Sequence, residues 1–138
     1  MTQEDKELLL KDLCARLPYN VRVEYHGIIL ANVFDVLGIA HGRIVLCLPF
    51  MSNTECPLIE EVKPYLFPLS SMTEEQKDDC PIGETNLNII KSNIGYGIIE
   101  IPWQLSYLFV EWCNKNHFDY RGLIEKGLAN DATGLNIY

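Results

Sequence analysis

Along residues 1–17 apolar side chains recur at Leu10, Leu13, Cys14 and Leu17, the i, i+3, i+4, i+7 spacing that places them on one face of a helix. Acidic residues crowd its beginning and Arg16 lies near its end, which suits the helix dipole. Thr2 and Asp5 have the spacing of a capping box, and Pro18 stops the helix. The period then changes. Val21, Val23 and Tyr25 alternate with Arg22 and Glu24, as in a strand with one buried face. Residues 28–37 and 43–48 predict two further strands, and His26-Gly27 and His41-Gly42 predict the turns before each of them. Residues 49–57 read as a loop, and 58–65 predict a fourth strand that completes a β-meander over 20–66.

Thr73 with Gln76 signals the start of a short helix over 73–80, ended by Cys80-Pro81. Residues 86–101, rich in Ile, Asn and Gly, predict a weakly patterned hairpin of strands at 87–90 and 96–101. Pro102 fits a first helical turn, and Leu105, Leu108, Phe109, Trp112 and Cys113 form the clearest helical stripe in the chain. A second helix, from about Asp119 to Leu128 and ending near Gly127, would make 102–128 a helix pair, with 130–138 as a tail. The expected architecture is a single α+β domain over 1–138. A small antiparallel sheet, an SH3-like half-open barrel or a meander, is flanked by an N-terminal helix and a C-terminal helix pair.

Composition narrows the function classes. A chain of 138 residues, 48% hydrophobic, is large enough for one core without metals or disulfides. The longest apolar run, 44–50, is far short of the roughly 20 residues of a membrane span, and residues 1–7 are charged where a signal peptide turns apolar, so a cytoplasmic protein is expected. Five cysteines without paired spacing suggest reduced, mostly buried thiols and no structural zinc. A net charge of −8, with 11 scattered Lys and Arg, disfavours nucleic acid as a partner. The acidic run Glu74, Glu75, Asp78, Asp79 and Glu84 would suit a nucleic-acid mimic only if further carboxylates extended it across one face.

The densest chemistry is in "NHFDYRG": His117, Asp119 and Arg121 supply a base, an orienting carboxylate and a cation, the ingredients of a small hydrolase or a ligand-binding enzyme. A structural reading competes. Asn116 or His117 would close one helix, where the dipole favours a protonated histidine. Phe118 would plug the core, and Asp119 would cap the next helix through the N–H groups of 121 and 122, worth about 1 kcal/mol. That account leaves His117 and Arg121 without fixed partners, so both are binding candidates. Trp103 and Tyr107, an i, i+4 pair beside the apolar stripe, are the candidates for an exposed protein-binding patch. No catalytic motif, cofactor loop or metal-ligand spacing is found.

Three blocks, "KELLLKDLCARLPYNV", "VKPYLFPLSSMTEEQ" and "NHFDYRGLIEKGLA", together resemble a group of small proteins of gut Bacteroides and their phages or prophages. The resemblance implies a bacterial or phage origin and an intracellular product, and it transfers no catalytic residue. The closing "NDATGLNIY" departs from the tail of that group. The reading that follows is a non-enzymatic protein-interaction module with no cofactor and no membrane association, and with an enzyme using His117 and Asp119 as the alternative.

Overall fold

The computed structural model describes residues 1–26, 33–41, 43–48, 54–92 and 103–138, apart from the side chains of 90, 92, 103 and 104. Helix α1 (Gln3–Arg16) begins as expected: the Thr2 hydroxyl accepts the Asp5 N–H, and the Asp5 carboxylate accepts the Thr2 N–H in return. Its buried face is not the expected one. Leu9, Asp12, Leu13 and Arg16 point inward, whereas Leu10 and Cys14 are exposed. The same spacing is shifted by one residue because a carboxylate and a guanidinium neutralise each other inside, so two of the four inward positions are charged.

Strands β1 (Arg22–Tyr25), β2 (Val33–Ala40) and β3 (Arg43–Cys47) run antiparallel in the expected meander, and a two-residue strand, β4 (Thr54–Glu55), pairs antiparallel with β3 inside the stretch 49–57 that was expected to be a loop. Ala40 pairs with Arg43, and His41 has φ 51, as the turn expected there requires, while Gly42 lies outside the described residues. Residues 27–32 lie outside the described ones, and with them the turn expected at His26-Gly27. A bulge between Val36 and Gly38 turns Leu37 out to solvent.

The return strand, β5 (Val62–Pro68), begins later than expected, after a 3₁₀ turn at Ile59–Glu61. It joins the two halves of the fold. Val62 to Pro64 pair antiparallel with β1, Tyr65 and Leu66 pair parallel with β7 (Asn130–Asp131), and Phe67 and Pro68 pair parallel with β6 (Phe118–Asp119). The seven strands form one mostly antiparallel sheet in the order β4-β3-β2-β1-β5-β6, with β7 also on β5. The sheet stays open, so the architecture is an α+β fold on a meander and not a closed barrel.

Three helices follow β5: α2 (Glu74–Asp79), α3 (Gly83–Ser92) and α4 (Trp103–Lys115). Thr73 and Gln76 form the capping box expected for α2. The hairpin expected over 86–101 is corrected by α3, while 96–101 lie outside the described residues. Leu87 is buried in a cluster with Phe109, Cys113 and Phe118, and this tertiary burial outweighs the β preference of the Ile-rich sequence. Helix α4 follows its stripe at Phe109 and Cys113, but Leu108 falls outside it and is exposed.

The second member of the expected helix pair is a single helical turn. Gly122, with φ 72, breaks the right-handed path before it. Gly127, with φ 70, ends it in a Schellman motif, in which Leu128 N–H donates to the Leu123 carbonyl and Gly127 N–H to Ile124. Helix α4 therefore pairs with α3 through the shared cluster instead of with residues 119–128.

Candidate functional site

Spacing of four residues along α1 puts Asp12 and Arg16 on one face, and both are fully buried. The Arg16 fork grips the carboxylate twice, through Nε to Oδ2 at 2.7 Å and Nη2 to Oδ1 at 3.1 Å. Its remaining donors reach across the molecule: Nη1 to the Cys113 carbonyl at 3.3 Å and Nη2 to the Phe118 carbonyl at 2.8 Å. The first of these lies in the last turn of α4, where carbonyls lack helical partners and a cation is favoured by the dipole. One guanidinium thus fastens α1, the end of α4 and β6 together.

The "NHFDYRG" segment is built around this pair. Arg121 places Nε 3.2 Å from Asp12 Oδ1, so one carboxylate serves two cations. Both guanidinium groups lie over the Tyr120 ring, at 5.6 Å for Arg16 and 4.7 Å for Arg121. Phe118 is the expected plug, 1% exposed and stacked on Trp112 at 5.3 Å. Asp119 is a cap, as expected, but a larger one: Oδ1 accepts the N–H of Arg121 and Leu123, and Oδ2 that of Ile124. These three amides begin the helical turn that Gly127 ends.

His117 takes φ 60 and lends its carbonyl to the Phe67 N–H at 2.9 Å. Its ring is 8% exposed and stacks on Tyr138 at 3.7 Å, nearly parallel. Burial, reinforced by Arg16 and Arg22, lowers its pKa to about 4. The imidazole is therefore neutral at pH 7, which corrects the protonated helix-end role. The unfolded chain takes up this proton below about 6.5 and the folded chain only below about 4, so stability falls as pH drops through that window and levels off beneath it. The loss between pH 7 and pH 5 is expected to be on the order of 1–2 kcal/mol in urea titrations, and His117→Asn should remove that part of the slope. An unchanged slope in the variant would contradict a neutral buried His117.

The base, carboxylate and cation that looked like a constellation have separate partners. His117 faces Tyr138, Asp119 holds three amides and Arg121 pairs with Asp12; no hydrogen bond joins His117 to Asp119. Arg121 is thus a member of the buried ion-pair cluster and not a cation without a fixed partner. Buried polar atoms without a hydrogen bond remain at Asn114 Oδ1, His117 Nδ1, Tyr120 Oη and Arg121 Nε, the last of which is nonetheless in ion-pair range.

Of the patch candidates, Tyr107 is 65% exposed on α4, and the Trp103 side chain lies outside the described residues. Leu108, next in the chain, is 48% exposed. Half-buried Trp112 donates its indole N–H to Asp79 at 3.1 Å. Two open clefts of about 360 Å³ each flank that contact, one reaching Glu75, Gln76 and Asn116, the other Pro81, Leu108 and Glu111. Leu108 and Trp112 were concealed by the stripe, which reads as core along its whole width.

Burial raises the Cys113 thiol well above its ordinary value and raises Cys80 too. Cys14 and Cys56 are exposed, so the expectation of mostly buried thiols holds only for Cys80 and Cys113 and partly for Cys47. Among the described residues no group of three or more His, Cys, Asp or Glu is placed to hold a metal ion, and no helix is long and apolar enough to cross a membrane. A scan of family models finds no match to the chain, and searches of curated proteins and of solved structures find none either.

Proposed function

We propose that the chain is a non-enzymatic protein-interaction module whose contact surface is the outer face of α4. One observation carries the reading: Leu108, 48% exposed, lines one of the Trp112 clefts, and the residue before it, Tyr107, is 65% exposed. An aromatic and an aliphatic side chain left in water next to a concave aromatic surface make the kind of patch that partners cover. Carboxylates of Asp79 and Glu111 border it with Lys115, giving the polar rim that surrounds such centres. The resemblance of the three sequence blocks would set this module in the cytoplasm of a bacterium, in a process related to phages or mobile elements.

The test is a partner captured from the host, purified and titrated against the protein and against Tyr107→Ser/Leu108→Ser. Both positions are exposed, so the double substitution should leave the unfolding midpoint nearly unchanged. Affinity should fall at least about tenfold. Equal affinity of the two proteins for every purified partner would reject this surface.

A further inference from the structure

Residues 136–138 are attached differently from the strands before them. None of them joins the backbone hydrogen bonds seen among the described residues; the chain turns at Gly134, with φ 74, and Asn136, with φ 49. Among the described residues, five contacts hold this end. The Arg22 guanidinium donates to the Ile137 carbonyl. The Tyr138 hydroxyl donates to the Tyr65 carbonyl at 2.8 Å and accepts the Arg22 backbone N–H at 3.1 Å. The Tyr138 ring lies flat on His117 at 3.7 Å and tilts against Phe67 at 6.0 Å.

A carbonyl, a phenol and a ring face are the contacts a bound peptide makes, and the slot that provides them belongs to other elements. Its walls come from β1, β5 and the His117 turn, and Arg16 holds the last of these at the neighbouring Phe118 carbonyl. The slot also extends past what the tail fills. A cleft of about 190 Å³ bounded by Phe67, Ser71, Gln76 and Phe118 opens beside Thr133 and Gly134, and Leu135 is left 53% exposed. Buried His117 Nδ1, on the ring that forms one wall, has no hydrogen-bond partner.

We propose that this slot is a recognition site for a tyrosine-bearing peptide segment of a partner protein, and that residues 133–138 occupy it as a tethered competitor. Tyrosine is selected because its hydroxyl both donates and accepts. Phenylalanine would leave the Tyr65 carbonyl and the Arg22 N–H unpaired beneath it. Arg22 reads the main-chain carbonyl just before the tyrosine, and the residues upstream run into the cleft past Ser71 and Gln76. Apart from Gln76, which also lines one of the Trp112 clefts, these groups are separate from the α4 face, and neither Tyr107 nor Leu108 lines the slot's cleft, so the two binding surfaces are tested separately.

The test uses the full chain carrying Tyr138→Ala, the wild type, and the peptide Gly-Leu-Asn-Ile-Tyr, followed through the His117 ring and Arg22 amide signals. Emptying the slot removes a competitor present at an effective concentration in the millimolar range, so the peptide should bind the variant at least about tenfold more tightly than wild type. Its Phe-for-Tyr analogue should bind the variant roughly tenfold more weakly than the tyrosine peptide. A folded Tyr138→Ala protein whose His117 and Arg22 signals do not move overturns the proposal. So does a Tyr138→Ala protein that no longer unfolds cooperatively, since the tail would then be a permanent part of the core. A wild-type dimer that disappears in Tyr138→Ala would assign the slot to the tail of a second copy and overturn the assignment to a foreign segment.

Discussion

Asp12→Asn is expected to lower stability by about 3–5 kcal/mol, the largest loss of any isosteric change in the described chain. The carboxylate is fully buried and is the anion for both Arg16 and Arg121. An amide of the same shape leaves two guanidinium groups close to one another in the interior with no counter-charge. Urea unfolding should show the midpoint falling at constant slope, because the fold is weakened without the unfolded state becoming more compact. A loss below about 1 kcal/mol would mean that the pair is solvated and is not a structural centre.

Asp119→Ala is expected to cost about 3 kcal/mol, well above the cost of an ordinary helix cap. Its two oxygens satisfy three backbone N–H groups at a residue 4% exposed, and those amides lose their acceptor when the side chain is cut back. Asp119→Asn, which keeps one acceptor oxygen, should lose less. Native-state hydrogen exchange supplies the local check: the amides of 121, 123 and 124 should lose protection in the alanine variant before β1 does. Equal protection in both proteins would assign these amides to other acceptors.

The parts of the fold readable in the sequence are those set by short-range chemistry. The Thr2 and Thr73 caps, the positive φ of His41, the alternation around Val23 and the Asp119 cap each depend on a few neighbouring residues, and each appears in the structure. Interactions distant in sequence were not readable. The apolar period of α1 pointed to Leu10 and Cys14, because a buried Asp12–Arg16 pair looks like a solvated face until the carbonyls of Cys113 and Phe118 are seen beside it. Helix α3 was concealed in the same way: only burial of Leu87 against α4 makes a helix of a sequence with β preferences.

The candidate site divided along the same line. His117, Asp119 and Arg121 look catalytic as a string, but their partners, Tyr138, three local amides and Asp12, show a lock between the N-terminal helix and the C-terminal segment. Arg121 became structural and His117 a wall of the tail slot. Tyr138 gave no local signal, since its contacts with Arg22 and Tyr65 join opposite ends of the chain.

The buried lock is tested most directly by a double-mutant cycle on Asp12→Asn and Arg16→Met, read by urea unfolding. A cluster that works as a unit predicts that the double variant is more stable than the sum of the single losses allows, with a coupling of about 2 kcal/mol or more, because Arg16→Met relieves the repulsion between the two guanidinium groups that Asp12→Asn alone leaves without a counter-charge. Single losses that simply add would contradict it.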